Sequence, residues 1–309
     1  RYPIKKWAAA MGIVGALAYL AISGGAFATV RSALMIVVMF SAVLLDRPAL
    51  ALRNVAVSAL LIMMVYPESL FDAGFQMSFA AVTGLIATYE EVRRRAKRTN
   101  VPHPVIRLMM FFGGIVTSTL IASAAVAPFA AYHFHPSQQY AVLANLLAIP
   151  VCNLIVMPAA LATLLLMPLG LEELALWPMG FGIDLMTWCA QAVSALPGAV
   201  GHLPAIPTLA FVLIVVGGLW LALWQTPLRL AGIGMAIAGL AISPLLARPD
   251  IYVARNGALV AVRGSDGLLS AVPARQARFE LERWLEYDGA ARAAAEVEKA
   301  QGFACGGAG

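Results

Sequence analysis

Charged residues are scarce in this sequence. Asp, Glu, Lys and Arg make up 12% of its 309 residues, while 61% are hydrophobic and the mean hydropathy is +0.83. A soluble globular chain carries about 25% charge, so the shortage excludes a soluble domain. Cysteine is nearly as rare. Cys152 and Cys189 sit in apolar runs and Cys305 lies near the end, so neither a disulfide framework nor a CxxC metal site can be built. The four histidines are His103, His133, His135 and His202. Only His133 and His135 are close in sequence, and two ligands without partners make no metal site. No HExxH, GxSxG, P-loop or Rossmann glycine pattern occurs. Neither an enzymatic activity nor a cofactor is expected, and no internal repeat joins the two halves.

What the chain does contain is long apolar blocks separated by short polar clusters, the pattern of a polytopic helical membrane protein. The runs are Ala8–Ser23, Ala33–Leu45, Ala49–Tyr66, Gly74–Tyr89, Pro104–Ala131, Tyr140–Pro168, Pro178–Leu196, Pro207–Trp224 and Leu228–Leu246. They predict an all-α membrane unit of about 7–9 segments over residues 1–247, some of them broken or re-entrant. Helix breaks are expected at Pro67, and at Pro150 and Pro158, where Tyr140–Pro168 is either a kinked span or two half-helices. Residues 248–309 change character. Three short strands with Asn256-Gly257 and Asp266-Gly267 at hairpin positions are followed by a charged helix over Arg275–Gln301. They read as a small α+β soluble segment, incomplete at its end. The chain opens on Arg1, with no signal-peptide layout, and reads as a fragment lacking an N-terminal part.

The Arg93, Arg94, Arg95, Lys97 and Arg98 cluster is the strongest positive-inside signal. With it in the cytoplasm, alternation also brings Lys5, Lys6, Arg47, Arg53 and Arg229 to that side, and puts the His133 loop and the C-terminal segment outside. The net charge of +5 then reflects orientation more than an acidic partner.

The stretch from Val65 to Tyr89 places polar groups where they are expensive. Intramembrane polar residues usually face a bundle interior or a water-filled path. Asp72, Gln76 and Ser78 surround Gly74 and Phe75 at the start of a helix, whose free N–H groups and positive dipole end suit an anion. The plainer alternative makes Asp72 a helix cap, with Gln76 and Ser78 bonding neighbouring helices. Arg31, at the outer edge, is either a snorkelling arginine or an anion contact. Arg53 carries the same two readings beside a cytoplasmic turn. Asn145 fits helix–helix bonding at least as well as a path.

TVRSALM (Thr29–Met35), the DRP turn (Asp46–Pro48), YPESLFDAGFQMSF (Tyr66–Phe79) and HFHPSQQYAVLANLLAIP (His133–Pro150), with Pro158 beyond, resemble the ComEC-type competence family. RPDIYVARNGALVAVRGSDG and FELERWLEYDG resemble a C-terminal segment of some members. The resemblance implies a bacterial inner-membrane channel passing single-stranded DNA to the cytoplasm in natural transformation. It further implies lipid contacts, a periplasmic DNA-receptor protein, a cytoplasmic helicase or single-strand-binding proteins, and compatibility with a homo-oligomer. Arg31, Arg53, Asp72, Gly74, Phe75, Gln76, Ser78 and Asn145 become candidates for the DNA path, with Phe75, Phe79 or Tyr140 as stacking surfaces. Family members commonly carry an OB-like N-terminal domain and a metallo-β-lactamase-like C-terminal domain. This sequence shows neither, and without an HxHxDH motif no nuclease activity carries over. The rival readings are a secondary transporter of a small molecule or ion built on the breaks near Pro67 and Pro150, and a structural membrane subunit.

Overall fold

The computed structural model describes residues 3–95, 104–134, 136–138, 140–202, 206–245, 249–255, 257, 259–264, 267–272, 278–289 and 297. Its first half is five helices: α1 (Ile4–Ile22), α2 (Phe27–Leu44), α3 (Leu52–Val65), α4 (Ala73–Arg95) and α5 (Pro104–His133). Side-chain ties show how they stack end to end. Lys6 Nζ meets Asp46 at 2.6 Å, so α1 starts where α2 ends. Asp46 has φ 56°, a left-handed conformation that Asp tolerates better than most residues, and this tight corner is the DRP turn. Buried Asn54 holds the far side of the corner by donating from Nδ2 to the carbonyls of Pro48 (2.9 Å) and Ala49 (2.7 Å). The Leu52 N–H, orphaned at the start of α3, donates to Glu90 Oε1 at 3.1 Å. α4 therefore runs back along the whole of α3. From Ala73 to Glu90 it rises about 26 Å, close to the thickness of a bilayer core.

The second half continues with β1 (Pro136–Gln138), α6 (Ala141–Val151), a π turn (Cys152–Val156), α7 (Met157–Leu166), α8 (Glu173–Ser194), β2 (Val200–His202), α9 (Thr208–Leu223) and α10 (Ala231–Ile242). β1 pairs antiparallel with β2, Pro136 opposite His202, which pins the α5–α6 and α8–α9 connections to one end. Of the two alternatives at Pro150 and Pro158, the structure has a single span with a distorted turn and not a pair of half-helices. Pro150 lies inside α6, Pro158 is the second residue of α7, and the chain stays helical throughout. The π turn supplies the reason. The Met157 N–H reaches back to Cys152 O, and the wider turn makes room for a proline whose ring would collide with a carbonyl in a regular helix. Neither two half-helices nor a re-entrant hairpin forms. At Pro67 the helix does stop, in a 3-10 turn over Pro67–Phe71.

α9 and α10 approach to backbone contact. A Cβ on Gly217 would lie 2.5 Å from Gly232 O, and one on Gly232 would collide with Gly217 O in return. Small residues permitting backbone contact are how helices associate where lipid removes the hydrophobic drive. Among the described residues, four helices are long and apolar enough to cross a membrane: Ile4–Ile22, Phe27–Leu44, Val105–His133 and Ala141–Leu169. Leu52–Val65, Thr208–Leu223 and Pro227–Ile242 are apolar but shorter. Large apolar side chains cover the outside, Trp177 at 78% exposure and Leu154 at 71% among them. Such a surface suits lipid and not water, so the chain is a membrane protein.

The C-terminal segment is an antiparallel sheet of β3 (Ile251–Val253), β4 (Val260–Arg263) and β5 (Leu269–Val272), packed on α11 (Arg278–Asp288). Gly257 and Gly267 take positive φ between the strands, as the hairpin reading requires. Leu259, Ala261, Leu269, Leu281 and Leu285 form its core. Arg263 grips Asp288 through two hydrogen bonds, 2.6 and 3.2 Å, and this carboxylate raises the already high pKa of the guanidinium. Of the helix expected over Arg275–Gln301, the described part runs from Arg278 to Asp288, where Gly289 turns left-handed (φ 75°); residues 275–277, 290–296 and 298–301 lie outside the described residues. Cys305, Lys97, Arg98 and His135 lie outside the described residues.

Candidate functional site

The site is built where α3 stops. Tyr66 cannot continue the helix into Pro67, so the chain makes its 3-10 turn and delivers Asp72 to the first turn of α4. Asp72 Oδ1 accepts the Phe75 N–H at 2.7 Å, an N-cap bond. Arg31, from the second turn of α2, brings its guanidinium to 3.7 Å from the same oxygen and lies 5.7 Å over the Phe27 ring. The Arg31 side chain is 14% exposed and that of Asp72 47%. Gly74 keeps this corner close, because a Cβ would lie 3.1 Å from Asp72 Oδ1 and 3.3 Å from an Arg31 nitrogen, so both side chains would have to give way slightly.

Gln76 extends the cluster. Its Nε2 donates to Leu70 O at 2.8 Å, closing the turn, while its Oε1 accepts from His133 Nε2 at 2.8 Å. His133 is the last residue of α5, and beside it Tyr132 stacks on Phe211 of α9 with centroids 4.2 Å apart. Tyr132 also reaches Thr208 at 3.3 Å. Thus α2, α4, α5 and α9 meet at one end through Arg31, Asp72, Gly74, Gln76, His133 and Tyr132.

Several expected candidates fall elsewhere. Phe75 and Phe79 are 5% and 8% exposed, pack on each other at 4.4 Å and join Val55, Ile62 and Ile86 in the core, so they offer no stacking face. Their i, i+4 spacing put them on one side of α4, and that side faces α3. Arg53 is exposed beside the Asp46 corner, at the opposite end of α3 from Asp72. Ser78 is half-buried one turn beyond Gly74. Asn145 faces Thr119 of α5 at 3.5 Å and acts between helices. Tyr140 donates its hydroxyl to Pro197 O at 3.1 Å. Of the N–H groups expected to be free at this helix start, that of Phe75 is taken by the Asp72 carboxylate. His133 was the partner sequence reasoning missed: it is 57 positions from Gln76, and nothing local announces the pairing.

A second charged cluster marks the other end. Glu91 of α4 binds Arg94 and Arg95 of its own helix and, at 3.1 Å, Arg229, which follows α9. Arg94 also donates to Gln225 at 3.3 Å. The hydrogen bond from Arg94 is the main reason the Glu91 carboxyl titrates below its ordinary range, with Arg95 adding to it against the opposing effect of desolvation. Among the described residues, no group of three or more His, Cys, Asp or Glu could hold a metal ion.

The arrangement therefore has two charged ends joined by apolar helices. Compared with known proteins, a 144-residue part of the chain is 27% identical to ComE operon protein 3 of Bacillus subtilis (strain 168). The match takes in 47% of this chain but 17% of that protein, so the chain corresponds to a small part of its relative. No solved structure matches. The family model described as Competence protein matches residues 1–228, which take in Arg31, Asp72, Gln76, His133, Glu91 and every helix through α9, and the chain belongs to that family.

Proposed function

We propose that this chain is the membrane part of a channel that conducts single-stranded DNA into the cytoplasm during natural transformation. Membership in the Competence family supports a role in DNA uptake. The observation that carries the channel reading is the convergence of Arg31, Asp72, Gln76 and His133 at one end of an otherwise apolar bundle. Polar groups at that position line a path or hold its mouth. Arg31 keeps donors beyond those facing Asp72, and a guanidinium is suited to phosphate. In the transporter alternative, breaks near Pro67 and Pro150 both contribute. The continuous helix through Pro150 and Pro158 leaves only the first.

In this reading the protein sits in the bacterial inner membrane with the Glu91 end in the cytoplasm. Lys6, Arg94, Arg95 and Arg229 all belong to that end, which agrees with the positive-inside rule. The Asp72 end and the C-terminal segment then face outward, towards a periplasmic DNA receptor. Strand movement would be driven by a cytoplasmic helicase or by single-strand-binding proteins. A homo-oligomer fits Asp184, which is exposed halfway along α8, where a carboxylate facing lipid is costly and a second copy would cover it.

The test is uptake of fluorescent DNA by a transformable host lacking its own channel, complemented with this gene or with Arg31→Gln or Gln76→Ala. DNA reaching the cytoplasm with the parent, but halting outside the inner membrane with inserted variants, supports the reading. Normal passage in both variants removes the site assignment. No passage with an inserted parent, in a host whose receptor and helicase serve a control channel, counts against conduction.

A further inference from the structure

α11 has two working faces. Leu281 and Leu285 are buried against the sheet. Glu280, Arg283, Trp284 and Tyr287 follow one another at i, i+3, i+4 and i+7, which places them on one stripe of the helix. An aromatic stripe at helical spacing is ordinarily core, but here Leu281 and Leu285 occupy the core. Trp284 is partly buried against that core, and the stripe as a whole also lines a cleft of about 430 Å³ whose other wall is His133 and Phe134, at the end of α5. That volume lies within the range of small-molecule sites, about 300–1,000 Å³.

The chemistry of the lining selects its ligand. Tyr287 is 47% and Phe134 51% exposed, so aromatic surface is available from both walls. Tyr252 and Trp284 add two rings with centroids 5.6 Å apart. One carboxylate oxygen of Glu280 is buried and has no hydrogen-bond partner, leaving an acceptor in want of a donor. Arg283 is exposed on the same stripe. A lipid tail has no use for the acceptor. A simple ammonium ion has none for the arginine. A flat π face carrying N–H donors, joined to a negative charge, uses all of them.

We propose that this cleft is a nucleobase subsite: an unpaired base stacks against Tyr287 and Trp284, its exocyclic amino group donates to Glu280, and Arg283 meets the adjacent phosphate. The inference rests on the conduction of single strands proposed above and assigns the stacking surface to the C-terminal segment, beside the Gln76–His133 pair.

The experiment measures binding of purified protein in detergent to a short oligo-dC and to an abasic oligomer of equal length and charge. The parent should prefer oligo-dC, and Tyr287→Ala should lower oligo-dC affinity by roughly 5- to 100-fold while leaving abasic binding unchanged. Phe134→Ala, which touches none of the C-terminal core, should reduce the same preference, so the test survives if Tyr287→Ala does not fold. Arg283→Gln should weaken both oligomers alike. Equal parental affinity for the two oligomers overturns the subsite and leaves conduction standing. So does a base preference that persists in both aromatic variants, since the bases then stack elsewhere. If the parent binds neither oligomer at any salt concentration, the conduction reading falls with it.

Discussion

Arg31 and Asp72 pull the candidate site in opposite directions, and separating them is the most informative perturbation. Asp72 does two jobs: it caps α4 through the Phe75 N–H at 2.7 Å and it faces Arg31 at 3.7 Å. Asn is as good a cap as Asp, so Asp72→Asn keeps the helix start, whereas Asp72→Ala loses about 1 kcal/mol of capping. The ion pair adds little, about 0–1 kcal/mol, because Asp72 is half exposed. If Arg31 meets DNA phosphate, Asp72 competes with that phosphate for it. Asp72→Asn should then tighten binding of a short oligo-dT by up to about fivefold, the equivalent of about 1 kcal/mol.

Arg31→Gln should do the reverse and leave a signature in salt. Each phosphate contact to a single strand contributes a slope of about −0.7 in log K against log salt, or about 2.6-fold between 50 and 200 mM. The variant should therefore show a slope shallower by about 0.7, at unchanged melting temperature within about 1 kcal/mol of stability. Fluorescence anisotropy of a labelled oligonucleotide across four salt concentrations reads both quantities. Gly74→Ala supplies a third point, since its methyl would press on Asp72 and Arg31 together. It should lower stability through the cap and disturb the pair. The reasoning is refuted if Arg31→Gln leaves both affinity and slope as they were while Asp72→Asn changes neither.

Gly217→Ala should destabilise by about 1–3 kcal/mol, because its Cβ meets the backbone of Gly232 and Ala236. Gly234→Ala, which meets nothing within 4 Å, should be neutral or stabilising on the same thermal melt in detergent. Acid should loosen the Glu91 end. A carboxyl whose folded pKa is depressed contributes stability that is present above its ordinary value of 4.5 and is lost as pH falls through the lower folded value. Proteolysis within the loop holding Gln225 and Arg229 should rise below pH 4.5, and Glu91→Gln should show that susceptibility already at neutral pH.

The sequence by itself determined the kinds of element and much of their punctuation. Charge scarcity and long apolar blocks specify membrane helices. Pro67 after Tyr66 ends a helix, and the glycines at 257 and 267 close hairpins between short β-branched runs. These are local effects of backbone sterics and burial, so they can be read one window at a time. Pro150 and Pro158 could not be read this way. Two prolines eight positions apart announce a disturbance, but whether the chain breaks or widens into a π turn depends on the packing around it. Nor could the facing of α4 be read. In a bilayer the outside of a bundle is as apolar as the inside, so periodicity does not say which side Phe75 and Phe79 take. The tertiary structure alone brought His133 to Gln76, Arg229 to Glu91, and the Glu280–Tyr287 stripe to Phe134. Each is a contact between segments far apart in sequence, and only the packing of whole helices, end against end, decides which of them meet.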